Sequence, residues 1–571
     1  MIQYRCKTHN ITFTASLCPI CQERGEFNIS KLYWCSHCRI PIYDSVCSLC
    51  GKKGRQIASD LRPVFPQERL LLEVILGKPF AYENASVWNG TGNHYYVDGE
   101  KIPFKISALK QMDGEKIRET YFSLTSENQK TEKEFWKLMH QWREANQKRY
   151  REITAEALDY IREKVLDYKI NEMFVSFSGG KDSTVVADLV QKAMGEKKVL
   201  HIFGDTTLEF PTTYEYVERF KKEHPHTPVL SVKNKEKDFY ELCSIVGPPS
   251  RVMRWCCTVF KTSAISRKIA ALFKGKKSIL TFYGIRRNES SSRNKYDRES
   301  DSPKITIQRT ISPIIDWMDY DVWLYILSTG IDFNEAYRYG YARVGCWCCP
   351  NNSEWSEFLS KIYMKEQYEK FHNMLMDFAV KVGKKEPEKY VEEGKWKARQ
   401  GGNGLEYSKK SLIDFKPCAL EEHQFYYELQ KPITEQLYEL FKPFGDMNTE
   451  LGNQRLNERY FIGSNGMLQL KLQGRIGSNV LRVTIFNTHL AGAKSIRGAE
   501  EKVRCQITKY QMCIACNACE GICKYNAISI GSTGEGEVSY KIDSQKCVKC
   551  KECINHFNGG CYMRKVLTIK R

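Results

Sequence analysis

Two kinds of residue pattern in this chain could do chemistry: cysteines at metal-ligand spacing and one glycine turn suited to a phosphate. The 571 residues include 23 cysteines. Cys35-x-x-Cys38 and Cys47-x-x-Cys50 are two knuckles eight residues apart, and four thiolates at that spacing can close a tetrahedral zinc site. Cys6-x-x-His9 with Cys18-x-x-Cys21 offers a second site with one imidazole, on a weaker pattern because Cys-x-x-His alone is common. Cys256 and Cys257 form one tight group, and Cys346, Cys348 and Cys349 another. Near the C-terminus, Cys513, Cys516, Cys519 and Cys523 make one run and Cys547, Cys550, Cys553 and Cys561 a second. Residues 1–10 lack the apolar stretch of a secretory leader, so metal ligation is expected here rather than disulfides. The glycine turn is Ser178-Gly179-Gly180-Lys181-Asp182-Ser183. Its glycines let the backbone approach an anion, and the N–H groups and dipole of a following helix favour negative charge there. The spacing is not that of a Walker A loop. A bare Gly-Gly turn at a helix start also occurs as a purely structural feature.

These residues need elements to hold them. Met173–Phe177 reads as a buried strand before the turn, and Thr184–Val190 as helix running on to Gly195. Val199–Phe203 reads as the next parallel strand, ending in Asp205-Thr206-Thr207. Strand, helix and strand with ligands at the carboxyl ends is the doubly wound α/β plan. A further strand, Ile279–Tyr283, runs into Gly284-Ile285-Arg286-Arg287-Asn288-Glu289-Ser290. Ahead of the core, Phe135, Leu138, Met139 and Trp142 share one helical face, and Ile153, Ala157, Ile161 and Val165 another. Because single cores rarely exceed about 250–300 residues, several units are expected. The reading is a zinc-ribbon region at 1–55, a small α+β domain at 56–128 and the catalytic domain at 129–383. A Lys/Glu- and Gly-rich linker follows at 384–410, then a mixed α+β domain at 411–500 without assignable chemistry, and a cysteine-rich domain at 501–571.

The Ser178–Ser183 turn resembles the PP-loop of ATP pyrophosphatases. Residues 170–352, with five motifs in order, resemble the adenylylsulfate/phosphoadenylylsulfate (APS/PAPS) reductase family. The expected fold class is therefore α/β, a doubly wound parallel sheet of the adenine nucleotide alpha-hydrolase-like kind. The resemblance implies nucleotide binding by Ser178, Gly179, Gly180, Asp182, Ser183 and Asp205. It implies phosphate contacts from Arg286 and Arg287, with Lys181 a further cation. In the iron–sulfur branch a Cys-Cys pair and a later Cys-x-x-Cys hold one 4Fe-4S cluster; the matching residues are Cys256, Cys257, Cys346 and Cys349. Cys348 is then either a sulfur-carrying thiol or a packed bystander. The reductases' C-terminal Glu-Cys-Gly-x-x-His-like segment has no counterpart in the chain. Residues 501–571 resemble two-cluster ferredoxins. That resemblance pairs Cys513, Cys516 and Cys519 with Cys561, and Cys547, Cys550 and Cys553 with Cys523. Lys524 stands where proline is usual, and zinc is the competing occupant.

The net charge of +19 asks for an anionic partner, and residues 254–310 hold 14 Lys and Arg against 4 Asp and Glu. The alternative is a basic solvated surface. No apolar run is long enough to span a bilayer, so a cytoplasmic protein without membrane contact is expected. The expected cofactors are ATP, Mg2+, three 4Fe-4S clusters and Zn2+. The favoured function is a sulfurtransferase of the kind that makes phosphorothioate DNA: it adenylates an oxygen of nucleic acid, DNA before tRNA, and replaces it with sulfur from a cysteine desulfurase. An electron donor is a further expected partner. Reduction of APS or PAPS with ferredoxin electrons, tRNA thiolation, and a non-catalytic nucleic-acid-binding role are the alternatives.

Overall fold

A run of five residues, Met173–Phe177, four of them fully buried, forms the central strand of a six-stranded sheet. The computed structural model describes residues 31–290, 293–302, 307–532, 538–557 and 559–567, together with 4–6, 9, 12–13, 17–22 and 26–27. Across the central sheet the order is Val229–Lys233, Leu200–Asp205, Met173–Phe177, Ile279–Tyr283, Gln308–Ile311 and Glu299–Asp301. The first five are parallel and Glu299–Asp301 is an antiparallel edge. The chain moves outward on one side of Met173–Phe177, then returns to start Ile279–Tyr283 on the other. That switch point, at the carboxyl ends of the two strands, is where ligands bind in such sheets. The glycine turn lies there, followed by the helix Lys181–Met194. The fold is thus the doubly wound α/β plan, with the second strand beginning at Leu200 rather than Val199.

The helices Glu132–Ala145 and Gln147–Lys164 cover this core with the faces expected from their periodicity. Met139, Trp142, Ile153, Ala157 and Ile161 are buried. The unit at 56–128 packs into the core rather than standing apart. Its strands and its helix Pro66–Ile75 share hydrophobic clusters with the central sheet. Arg62 pairs with Glu68 at 2.6 Å, both buried, and Tyr95 donates to Glu68 at 2.7 Å. Gly340 has φ +98°, and a Cβ there would meet Glu68 at 2.9 Å, so this pair fixes the segment that leads to Cys346. Asp60 accepts the backbone N–H groups of Asp319 and Tyr320 at 2.9 and 3.0 Å, capping the helix Asp319–Thr329.

The expected linker at 384–410 is not one. Val391, Trp396 and Leu405 are buried in the same cluster as Trp347, and a Cβ on Gly402 would lie 2.5 Å from the Leu567 carbonyl. Most of its charged residues face outward, while a few large side chains, with Lys397 and Arg399, anchor it, which composition averaged along the segment conceals. Residues 414–485 form a six-stranded antiparallel sheet, in the order 414–417, 424–428, 480–485, 468–473, 458–462, 446–448. The helix Ile496–Met512 lies against it, and the sheet shares its core with Cys519, Ile528, Tyr540 and Cys553. The 411–500 and 501–571 units therefore have one core between them. Among the described residues no helix is long and apolar enough to cross a membrane.

Burial, and then the charge of Asp319, pushes the Asp60 carboxyl up to about 7. A carboxyl raised on folding destabilises the protein as pH rises from its unfolded value, about 3.9, to its folded value. Asp60→Asn is expected to remove that dependence. Wild type should lose up to about 4 kcal/mol relative to the variant between pH 4 and 7, read from thermal unfolding across that range; parallel pH profiles would contradict it.

Candidate functional site

The glycine turn is built for close approach. Gly179 has φ +71°, and a Cβ on it would lie 2.9 Å from Thr213 Cγ2. Gly284, at the end of the neighbouring strand, has no room at all, since its Cβ would meet the backbone of Asp182 and Ser183 at 2.7 Å. Ser178 is exposed, and Ser183 Oγ accepts its N–H at 3.1 Å and lies 3.0 Å from its hydroxyl. The loop's N–H donors are not all free as the sequence suggests. Lys181 N–H donates to the Tyr337 hydroxyl at 2.9 Å, so Tyr337 takes the acceptor role that the turn would offer a phosphate oxygen. Asp205 accepts from the Thr207 N–H and the Tyr214 hydroxyl at 2.7 and 2.8 Å.

The expected cations are engaged. Lys181 is buried, with Nζ 3.2 Å from Asp319 and donating to the Ala342 carbonyl at 3.1 Å. Arg286 holds Asp182 and, at 2.7 Å, Asp319. Arg287 pairs with Asp316 and donates to the Tyr296 carbonyl. Burial works against the Asp319 carboxylate, but Lys181 and Arg286 hold it down at about 2. Sequence reasoning missed Asp319, Asp60 and Tyr337, and also Arg293 and Arg343, which both lie against Glu289. Burial lowers Arg293, and its neighbour Arg343 lowers it further, while Asp182 pulls the other way. These two arginines, half-buried and exposed, are the cations near the turn that a nucleotide's phosphates could recruit. Of the 14 cations in residues 254–310, seven (Arg267, Lys276, Arg286, Arg287, Arg293, Arg298 and Arg309) pair with carboxylates. Five of the seven meet acids outside the segment, so among the described residues about half of its excess of ten charges is offset in space.

The core cysteines converge beside the turn. Cys257–Thr262 is a π-helical segment, a form that often marks functional sites. The Cys256 thiol is pushed well up by the adjacent Cys257 thiol and by burial, with Cys346 and Cys349 adding to it. Cys346 Sγ lies 3.3 Å from the Thr206 hydroxyl, just beyond Asp205. The Val344 carbonyl is 4.0 Å from the position of a Cβ on Gly180. Burial raises Cys349, Cys257 raises it further, and Arg254 and Arg343 oppose both. Arg343 therefore stands between the turn and the cysteines. Cys348 is buried, and burial pushes its thiol well up. With Trp347 and Cys349 it lines a cavity of about 780 Å³, walled mainly by the helices Glu354–Tyr363 and Lys365–Lys381. That cavity borders the cysteines, not the glycine turn.

The C-terminal cysteines form two sets. Burial and then Cys561, Cys519 and Cys513 push up the Cys516 thiol, whereas Cys547 rises through burial and then Cys523 and Cys550. The fold thus brings Cys561 to the first run and Cys523 to the second. Both runs share a backbone pattern, with positive φ at Ala515 and Asn517 and again at Lys549 and Lys551. Lys509 lies between the sets, buried, and donates to the Cys553 carbonyl at 2.7 Å. Burial opposes its charge, and Cys519, Cys553, Cys561 and Cys513 restore it. The first set also meets the core: Glu520 pairs with Arg267 at 2.8 Å, and Gly521 faces Ser263. Burial lifts Tyr562 to about 12, with Cys516, Cys256 and Cys257 all contributing.

The N-terminal sets are tighter. Cys35–Cys50 and Cys38–Cys47 are 3.5 and 3.8 Å apart, and Cys6 lies 3.6 Å from Cys21 and 3.5 Å from His9. A tetrahedral ion with bonds of about 2.3 Å puts its ligands about 3.8 Å apart. Each of these two sets fits within 4.8 Å and could hold one metal ion; among the described residues no other set of cysteines is so compact.

Gly284→Ala is expected to force the backbone of Asp182 and Ser183 aside and to weaken adenine-nucleotide binding at least tenfold, about 1.4 kcal/mol, while the metal content is retained. Calorimetric titration with AMP or a non-hydrolysable ATP analogue checks it; undiminished affinity would remove the turn from nucleotide binding.

Residues 172–352 match the family described as phosphoadenosine phosphosulfate reductase domain. The chain is 32% identical over 335 residues to the "Uncharacterized protein MJ0973" of Methanocaldococcus jannaschii, covering 58% of this chain and 75% of that one. A second protein of that organism, "Uncharacterized protein MJ0066", is 31% identical over 225 residues, 39% of this chain and 45% of its own length. An adenosine 5'-phosphosulfate reductase of Anoxybacillus flavithermus is 28% identical over 189 residues, 32% of this chain and 74% of that one. The chain therefore belongs to one family with MJ0973, and its residues 172–352 are a phosphoadenosine phosphosulfate reductase domain, of the APS/PAPS reductase-like PP-loop kind.

Proposed function

We propose that this protein reduces the sulfur of an adenylylsulfate nucleotide, APS or PAPS, at its PP-loop, with electrons carried along its own cysteine quartets. One observation carries the reading: three cysteine quartets lie each beside the next and end next to the turn. The outer set (Cys523, Cys547, Cys550, Cys553) adjoins the inner set (Cys513, Cys516, Cys519, Cys561) around Lys509, and the inner set adjoins Cys256 and Cys257 at Tyr562. The chemistry of these donors fits 4Fe-4S clusters. The thiols are grouped more loosely than a single ion requires. Lys509, a buried ammonium with no carboxylate partner among the described residues, needs anionic centres beside it, because an uncompensated buried charge is strongly disfavoured. Such clusters would supply one-electron steps. The two compact N-terminal sets suit Zn2+ as structural staples.

The protein's own residues then bind and position. Ser178, Gly179, Gly180 and Ser183 hold the nucleotide at the turn, and Arg293 and Arg343 neutralise its phosphates. Arg343 also lies by Cys349, which puts a sulfate bound there between cation and cysteines. Two electrons break the O–S bond of APS: AMP leaves with the bridging oxygen, the sulfur leaves as sulfite, and the charges balance without a proton. This route needs no Glu-Cys-Gly-x-x-His-like segment.

A second reading is a sulfurtransferase that uses ATP and Mg2+ to adenylate an oxygen of nucleic acid and replaces it with sulfur from a cysteine desulfurase. Cys348 favours it, being a thiol beside the core cysteines that could carry sulfur. The pairing of half the cations in residues 254–310 counts against a large polyanion-binding face there.

Protein prepared without oxygen is expected to hold about 12 irons, four per cubane, and to release sulfite from APS or PAPS when given a low-potential reductant. Release of AMP and pyrophosphate from ATP only when DNA or tRNA is present, without sulfite, would replace this reading by the second.

A further inference from the structure

We infer that the face around Cys550 is a docking surface for a small acidic one-electron carrier protein. The inference rests on the reading that the quartets carry electrons, and it names where those electrons enter and from what kind of partner. The two C-terminal quartets share a backbone pattern but differ in their surroundings. In the inner set Cys516, Cys519 and Cys561 are buried, and no lysine adjoins any of its cysteines in sequence. In the outer set Cys550 is exposed, and Lys524, Lys546, Lys549 and Lys551 stand directly next to its cysteines. Lys546 pairs with Asp543 and Lys549 with Asp446. Lys524 and Lys551 have no carboxylate partner among the described residues, and Lys524 is exposed. Two large apolar side chains flank them in the open, Tyr525 at 49% and Val548 at 55% exposure.

Exposed apolar side chains among lysines, beside the one exposed thiol of the two C-terminal quartets, are complementary to a protein with an acidic rim around its own redox centre. Charge of this kind mainly accelerates encounter and orients the partner. The inner quartet, enclosed between the core and the antiparallel sheet, offers no such approach. Each encounter moves one electron from the reduced carrier to the centre held by the outer quartet, and no bond forms or breaks. Two encounters supply the pair that one sulfur reduction consumes.

The test is rapid mixing of the full-length, metal-loaded protein with two reductants. One is a reduced acidic two-cluster ferredoxin; the other is photoreduced deazariboflavin, which is small and uncharged. With ferredoxin, the wild-type rate is expected to fall as salt rises, and Lys524→Glu/Lys551→Glu to lower it at least tenfold. With deazariboflavin the variant should match wild type. An unchanged ferredoxin rate in the variant would overturn the inference. So would equal slowing by both reductants in this variant and in Lys524→Gln/Lys551→Gln, since the lysines would then support the quartet rather than a partner. Cluster reduction is read directly, so a protein that accepts ferredoxin electrons at this face yet releases no sulfite keeps the inference and loses the reductase reading.

Discussion

Arg286 holds Asp182 at the start of the loop helix and Asp319 at the start of another helix, and Lys181 reaches the same Asp319. Asp319 in turn gives its N–H to Asp60, from a unit more than a hundred residues upstream of the loop. Four parts of the chain meet in this buried set of charges: the glycine turn, the end of Ile279–Tyr283, the helix Asp319–Thr329 and the N-terminal unit. Removing one partner from such a set typically costs about 3–5 kcal/mol, because the other charge is left buried and unpaired. The turn is thus braced by buried ion pairs, while Ser178, Arg293 and Arg343 are the more accessible groups around it. A cation at the start of a phosphate loop is easily assigned to the phosphate alone; here Lys181 and Arg286 are also ion-paired with Asp319.

The same logic of compensated charge runs through the cysteine series. Lys509 is buried without a carboxylate partner among the described residues, and the thiols around it would stabilise its ammonium as ligands of the proposed metal centres. The unit has no separate core. Its cysteines pack with the antiparallel sheet on one side and with the π-helical Cys257–Thr262 segment on the other. The sheet at 414–485, which has no evident chemistry, therefore serves as the wall against which the two C-terminal quartets pack.

Much of this was legible in the sequence because the governing interactions are local. Strand, glycine turn and helix lie within about twenty consecutive residues, and each cysteine knuckle is set by its own spacing. The stripes of Met139 and Trp142, and of Ile153, Ala157 and Ile161, follow from period alone. What stayed hidden depends on pairing across the fold. Arg286 and Arg287 read as phosphate ligands until Asp182, Asp319 and Asp316 are seen to claim them. The segment at 384–410 reads as a linker because its many Lys and Glu outweigh Val391, Trp396 and Leu405, the residues that decide its place. The positive excess of residues 254–310 fades once acids such as Glu156, Glu172 and Glu520 are brought against it. Tyr337 carried no sign of its role, since a tyrosine hydroxyl bonded to a loop N–H leaves no pattern in spacing.

The central claim is that a nucleotide at the PP-loop sits directly against the last centre of the electron path. Electron–nuclear double resonance tests this most directly, on the reduced, metal-loaded protein frozen on mixing with APS before turnover, the APS carrying its natural 31P and enriched 33S. The account predicts 33S hyperfine coupling to the centre held by Cys256, Cys257, Cys346 and Cys349, with a weaker 31P coupling. The 33S coupling should vanish when excess AMP, which lacks the sulfate, displaces APS, whereas the phosphate of AMP keeps a 31P coupling. Saturated nucleotide binding with no 33S coupling at that centre would contradict it.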